Sequence, residues 1–392
     1  MTNITNQYQK ALKFFNDGDY LKSLDISKEI LKTRKDPNVY NLIAIVYRSL
    51  GDFEKSIINF ENALKFNKNN PSILFNYAIS LGKIGSIEKA INILCDAISV
   101  EPNHAESTKW LIKYLSNTNY VTDRNIYSIT HNRLRDLKFN IKELNDSSIK
   151  KIIKLCENII PKNILDFDFT ETEIYRYESN DMNCDRHFKI FNEYSIIPEF
   201  CFSCFKIQIK AKNILDHLKL FFFFENNLNL KKYVKKFIIE KRPKIPGSYK
   251  MYIYLKSVDE AEKIKNNLEL LIKDNINNNF NIEIKRGCTE FGIKHPNYKE
   301  VKKKNLMNFV SSWKIFEEKL EKKFPELKKK LKSYQVFSGI NLSDFLTIKN
   351  WLIYANFFKD KKCIEVTDRS YRSELFESFL KSQENFRKEN FY

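Results

Sequence analysis

The sequence predicts a multidomain chain: an all-α solenoid of paired helices, an α+β domain with the order β-α-β-β-α-β, and a mainly helical C-terminal region. Three observations carry this reading. A glycine turn recurs at fixed spacing through the first hundred residues. Short alternating apolar runs between 201 and 288 are separated by helical patterns. Beyond 305 the apolar residues fall at helical spacing.

The recurring turn is "NDGDY" at 16–20, "SLGDF" at 49–53 and "KIGSI" at 83–87. Gly18, Gly51 and Gly85 stand 33 and 34 residues apart, and Pro37 and Pro71 are also 34 apart. An amphipathic helix precedes each glycine and another follows it. Small residues recur in register: Ala11, Ala44 and Ala78 in the first helix of each pair, Ser23, Ser56 and Ala90 in the second, then Ala63, Ala97 and Pro102. Close packing of paired helices demands such residues, because a larger side chain would force the helices apart.

These residues resemble the tetratricopeptide repeat over about 4–104, as three repeats, with "AESTKWLIKYL" at 105–115 reading as a capping helix. The resemblance implies a scaffold that binds a protein or peptide in a concave groove. By the family's register, Asn41, Ile45, Arg48, Phe75, Asn76, Ile79 and Lys83 would line that groove. The Lys/Asn pattern that clamps acidic chaperone tails is not reproduced across the repeats. An alternative is that the array packs only on its own C-terminal domain.

Residues 117–146 are rich in Asn, Asp and Ser and read as a connection with one short helix; 147–160 read as an amphipathic helix. "LDFDFTETEIYRYE" at 165–178 alternates as a strand. It places Asp166, Asp168, Glu171 and Glu173 either around a divalent cation or on a solvated face.

From 201 the elements follow in order: strand "CFKIQIK", helix "NILDHLKLFFFFENN", strands "KKFIIEKR" and "SYKMYIYLKS" across a "PKIPG" turn, a long helix from "SVDEAEK", and strand "NIEIKRGC". This is the ferredoxin-like arrangement, and right-handed crossovers give it sheet order 4-1-3-2. The first and last strands are then antiparallel neighbours, which sets the start of one, at Cys204, beside the end of the other, at Cys288.

That adjacency makes the cysteines informative. "CDRH" carries Cys184 and His187. After thirteen residues comes "CFSC", with Cys201 and Cys204, and later Cys288. Two-residue spacings let both ends of a tight turn face one ion, and zinc takes four nitrogen or sulfur ligands in a tetrahedron. Cys201, Cys204, Cys288 and one of Cys184 or His187 are therefore candidate zinc ligands. The alternatives are buried thiols and redox or catalytic cysteines.

On the third strand Lys250, Tyr252 and Tyr254 share one side, and Lys206 joins them from the first. An open face of this kind would stack single-stranded RNA bases. Helices or the repeats would otherwise cover it. "RGCTEFGIKHP" gathers Arg286, Cys288, Glu290 and His295, the ingredients of a nucleophilic site if one pocket unites them. No P-loop, dinucleotide fingerprint, nucleophile elbow or HExxH motif is present. His217 falls within a helix and reads as structural or exposed.

There are 67 Lys and Arg against 49 Asp and Glu, a net +18. The excess has two readings. One is an anionic partner; the other is codon composition, since Lys, Asn, Ile, Phe and Tyr are all abundant. The N-terminus shows no signal-peptide pattern and no stretch is long enough to span a bilayer, so a cytoplasmic location with reduced cysteines is expected. "LKLFFFF" and "NWLIYANFF" read as buried elements, Pro325 as a helix interruption, the "KKK" runs at 302–304 and 328–330 as solvated faces, and the last fifteen residues as a fraying tail.

The expected organisation is a repeat array over 1–116, a linker with a helix over 117–163, the α+β domain over 164–300 and a helical region over 301–392. The functional expectation is a scaffold or adaptor with a zinc-stabilised second module. The alternatives are an enzyme whose peptide or nucleic-acid substrate the array delivers, and an RNA-binding adaptor. Oligomeric state is not legible.

Overall fold

The computed structural model describes all residues except 1, 138–143, 177–181, 231, 246–247, 277–279, 325–326, 328–338 and 392. The predicted Pro325 break, the 328–330 lysine run and the Pro246–Gly247 part of the hairpin turn lie outside the described residues. The chain divides into two compact units, 1–131 and 132–392.

The first unit is built from helix pairs: α1 (Thr2–Asn16) with α2 (Tyr20–Thr33), α3 (Pro37–Ser49) with α4 (Phe53–Phe66), and α5 (Pro71–Lys83) with α6 (Ile87–Val100). α7 (Ala105–Leu115) follows, and α8 (Ile126–Arg135) begins in the first unit and ends in the second. Gly18, Gly51 and Gly85 hold φ of 80°, 80° and 81°, the left-handed turn that favours glycine. Asp19 and Asp52 then cap the next helices, accepting from Lys22 N and Lys55 N. Pro37 and Pro71 open α3 and α5 behind caps Asp36 and Asn70. Every small residue singled out in the sequence between Ala11 and Ala97 is fully buried. The Ser56 and Ser80 hydroxyls meet at 3.1 Å between α4 and α5. Odd-numbered helices approach one another more closely than even-numbered ones, so α1, α3 and α5 form the inner layer of the stack.

The second unit adds α9 (Asp146–Ile159), α10 (Lys162–Leu165), β1 (Glu173–Arg176), α11 (Cys184–Tyr194), α12 (Glu199–Ser203), β2 (Phe205–Ala211), α13 (Ile214–Asn226), β3 (Val234–Ile239), β4 (Tyr249–Leu255), α14 (Val258–Ile276), β5 (Asn281–Arg286), α15 (Lys314–Lys323), α16 (Leu342–Phe357) and α17 (Glu374–Phe391). The sheet order is β1-β3-β4-β2-β5, with every pairing antiparallel. Strands β2 to β5 thus stand in the order that right-handed crossovers predict, and β1 adds an edge strand beside β3.

On one face of the sheet Ile207, Ile209, Phe237, Met251 and Ile253 are buried, and α13 and α14 pack over them. α13 buries four consecutive phenylalanines, Phe221 to Phe224, and α16 carries the fully buried Trp351 and Tyr354. Both short apolar runs are interior elements, as their length requires.

Three expectations need correction. Among the described residues of the 165–178 stretch only Glu173–Arg176 is strand. Its earlier part is α10 and irregular chain, fixed by α16: Asn350 Nδ2 donates to the carbonyls of Phe169 and Glu171, and Trp351 Nε1 to Thr172 O at 2.8 Å. Among the described residues Asp166 and Asp168 belong to no group of three or more His, Cys, Asp or Glu side chains that could hold a metal ion. Burial pushes the pKa of nearby Lys349 down to about 8, against the pull of those two carboxylates, and Ser373 Oγ donates to Asp168. The tail is not frayed. It forms α17, whose Leu380 is buried and whose Gln383 Nε2 donates to Glu240 O at 2.8 Å.

Candidate functional site

In the first unit the residues assigned to the groove stand on α3 and α5, within the inner layer. Ile45, Phe75 and Ile79 are half-buried, and Lys83 is exposed. Asn41 Oδ1 has no hydrogen-bond partner among the described residues. Arg48 is committed within the array: Nη1 donates to Asn76 O at 3.0 Å and Nη2 to Asn76 Oδ1 at 3.1 Å. Sequence reasoning treated Arg48 and Asn76 as independent groove positions, but they form one tie between helices. Tyr114 of α7 reaches Gly82 of α5, closing that end of the layer.

In the second unit a pocket of about 560 Å³ lies on the sheet face opposite α13 and α14. Val234, Lys236 and Ile238 of β3, Tyr252 and Tyr254 of β4, Lys206 of β2 and Tyr175 of β1 face it. The register explains the grouping, since Tyr254 stands between Val234 and Lys206, and Tyr252 is paired with Lys236. Met182 and Asn183, together with Cys184, Asp185 and Phe188 at the start of α11, complete the lining.

This arrangement corrects the picture of an open RNA platform. Lys206, Lys250 and Tyr252 are buried, at 8%, 2% and 5% exposure, so the Tyr252 ring offers no free face for a base. The cations are already partnered. Lys250 and Arg242 both bind Glu240, Arg242 also reaches Glu290 at 2.9 Å, Lys236 pairs with Glu173 at 2.8 Å, and Lys206 Nζ donates to Gly287 O while lying 4.9 Å from the Tyr252 ring centre. Burial works against the Glu240 carboxylate, but the bonds from Arg242 and Lys250 outweigh it and hold its pKa below the usual range. Burial pushes the Tyr252 hydroxyl well up. Sequence reasoning missed Glu240 and Arg242, and placed Glu173 around a divalent cation or on a solvated face rather than in an ion pair with Lys236. The "IIEKR" stretch was visible but read only as the end of a strand.

The nucleophilic grouping does not assemble either. Cys288 and Glu290 line the pocket, but Arg286 is buried with its guanidinium on the carbonyls of Phe202, Tyr298 and Met307. His295 Nε2 meets Ser195 O at 2.7 Å, with the ring beside Trp313.

The cysteines do come together. Gly287 N donates to Cys204 O at 2.9 Å, which fixes the end of β5 against the start of β2. Cys201 lies in α12, one turn ahead of Cys204. The Cys288 thiol interacts with those of Cys184 and Cys201, and Cys184 also with Cys204 and His187. His187 is buried, its ring stacked on Phe200 at 5.0 Å. Burial pushes the Cys204 thiol up to about 12. Among the described residues no group of three or more His, Cys, Asp or Glu side chains stands ready to hold a metal ion. Among the same residues no helix is long and apolar enough to cross a membrane.

The tetratricopeptide repeat family model matches residues 37–70. The chain is similar to the photosystem I assembly protein Ycf3 of Synechococcus sp. (strain CC9902), with 36% identity over 84 residues, 20% of this chain and 49% of that protein. It is also similar to Ycf3 of Rippkaea orientalis (strain PCC 8801 / RF-1), with 29% identity over 137 residues, 34% of this chain and 78% of that one. The chain spans about half the length of the first curated relatives it matches. Among solved structures, the first repeat domain of human RPAP3 is similar at 20% identity, covering 28% of this chain and 88% of that one, with a TM-score of 0.28.

Proposed function

We propose, from the premise that the N-terminal part of this chain is a tetratricopeptide-repeat array, that the protein is an adaptor holding an extended peptide segment against the inner helix layer. The observation that carries this is the half-buried row Ile45, Phe75 and Ile79 on adjacent inner helices, with Lys83 exposed at its end and the half-buried Asn41 one turn before Ile45. Half-buried apolar side chains gain further burial from a ligand. An asparagine on such a surface supplies direction to a peptide backbone, and a lysine favours an acidic or C-terminal group. Arg48 belongs to the frame of this surface through Asn76. The β2–β5 core with α13 and α14 reads as a ferredoxin-like module carried by the adaptor.

The test is peptide selection on the full chain from a displayed random library, followed by affinity measurement for the enriched sequences. Phe75→Ala and Lys83→Glu should each weaken binding about tenfold or more, roughly 1.4 kcal/mol, with unchanged helical content. Failure to enrich any peptide, or equal binding by both variants, would remove the groove reading.

A further inference from the structure

We propose that Cys184, Cys201, Cys204 and Cys288 are the four ligands of a structural zinc ion that joins α11, α12, β2 and the end of β5. This concerns the second unit and does not rest on the peptide-binding reading.

The first argument is placement by backbone, which does not depend on how the thiols are rotated. Cys201 and Cys204 are held one turn apart by the bond from Cys204 N to Cys201 O, and Tyr298 Oη donates to the same Cys201 carbonyl at 2.9 Å. Cys288 follows Gly287, whose N–H is bonded to Cys204 O. The two segments run so close here that a β-carbon at Gly287 would lie 3.2 Å from the Cys204 β-carbon and 3.3 Å from its carbonyl oxygen. Cys184 opens α11 immediately after Asn183, whose φ of 31° turns the chain into the helix. Three separate segments thus bring four cysteines to one corner of the sheet, with Cys288 near the other three. Rotation about their side-chain bonds is the adjustment that closing on an ion requires.

The second argument is charge. Lys206 and Arg286 are buried beside these thiols, at 8% and 1% exposure. Their bonds run to carbonyl oxygens, Lys206 to Gly287 and Arg286 to Phe202, Tyr298 and Met307. Among the described residues no ion pair within 4 Å joins either to a carboxylate, although the Glu290 carboxylate near Lys206 favours its charge. Arg286 has only carbonyl oxygens and the rings of Phe205 and Tyr298 around it, and Lys206 only a carbonyl, the Tyr252 ring and the more distant Glu290, so added negative charge beside them is favourable. When a divalent ion binds, four S–H bonds break, four metal–sulfur bonds form and four protons leave to solvent. The resulting centre carries a charge of −2, which matches the two cations. Zinc suits four thiolates in a tetrahedron and does no redox chemistry.

His187 is the alternative fourth ligand. Its ring is stacked on Phe200, and its thiol contact is with Cys184, while Cys184 in turn reaches Cys288. That geometry makes it a neighbour that orients Cys184.

The experiment uses the reduced full chain. Metal analysis after purification should find about one zinc per chain. Cobalt added to the metal-free protein should give thiolate-to-cobalt charge-transfer absorption and the intense visible bands of a tetrahedral site, all displaced by zinc, with about four protons released per ion. Cys184→Ser, Cys204→Ser and Cys288→Ser should each weaken cobalt binding at least tenfold, and His187→Ala should retain the four-sulfur spectrum. Lys206→Met, which removes no ligand, should also weaken binding. Should a serine variant fail to fold, the wild-type spectrum and proton count still decide the matter. Absence of charge-transfer bands in the wild-type chain overturns the proposal. So does iron in place of zinc in the purified protein, or loss of the spectrum in His187→Ala with retention in Cys184→Ser.

Discussion

Arg48 and Asn76 tie two inner helices of the repeat array together, the guanidinium holding both the backbone and the side-chain oxygen of the asparagine at 3.0 and 3.1 Å. Arg48 and Lys83 therefore have different roles, although the sequence offers both as groove cations. Arg48→Glu should destabilise the first unit by about 1–3 kcal/mol, because it removes charge-assisted bonds and sets a carboxylate against two oxygens. Lys83→Glu is exposed and should stay within about 0.5 kcal/mol of wild type while weakening peptide capture. Urea unfolding followed by helical signal separates the two. Equal stability of both variants would show that the Arg48 tie contributes nothing.

Gly82 lies within α5, where alanine normally stabilises a helix by about 1 kcal/mol. Here a β-carbon would fall on the Tyr114 hydroxyl and the ring carbon that bears it. The ring is rigid, so it must leave its place, and overpacking of this kind costs about 1–3 kcal/mol. Gly82→Ala should therefore be net destabilising, against the propensity rule. Adding Tyr114→Ala should recover part of the loss, since the two positions are in contact and couple. A more stable Gly82→Ala protein would mean that the ring relocates freely.

Glu240 is 1% exposed and accepts from both Lys250 and Arg242. Glu240→Gln keeps the shape and removes the charge, leaving the Lys250 ammonium, 2% exposed, without its counter-ion. Breaking one side of a buried pair costs about 3–5 kcal/mol. Glu240→Gln combined with Lys250→Met should be closer to wild type than Glu240→Gln alone. Thermal melting of the three variants provides the check, and a silent Glu240→Gln would place the pair in contact with water.

The repeat helices were legible because their signal is local and repeated: Gly18, Gly51 and Gly85 mark turns with one backbone conformation, and the buried alanines mark one packing constraint. The order of β2 to β5 was legible because alternation fixes strands and handedness fixes their crossovers. That order is what brought Cys204 and Cys288 together on paper. Fates decided by distant partners were not legible. Whether Tyr252 faces solvent depends on α11 and on the loop carrying Glu240 and Arg242, none of which alternation describes. Whether Arg48 is free depends on Asn76, twenty-eight residues away. The 165–178 stretch alternates well, but Asn350 and Trp351 take the backbone acceptors that a longer strand would have used.

His217 gives the clearest pH dependence. Its ring is fully buried between Trp351, at 4.6 Å, and Tyr249, at 5.7 Å, and neither ring nitrogen has a hydrogen-bond partner among the described residues. Asp360, the nearby carboxylate, is engaged by Tyr249 Oη and Ile214 N. Burial alone therefore acts on the imidazole and pushes its pKa down to about 3 from an ordinary 6.5. In the pH window between those values the unfolded chain binds a proton that the folded chain refuses. Stability is then fully present above pH 6.5 and falls as the pH drops toward 3, by up to about 1.4 kcal/mol per unit from this residue. Carboxylates also titrate in this window, so the measurement is the difference between wild type and His217→Phe, in which their effects cancel. The phenylalanine variant should gain on wild type by about 1.6 kcal/mol between pH 6.5 and pH 5. A difference that stays constant from pH 7 to pH 4.5 would mean that His217 reaches a proton acceptor or water in the folded chain.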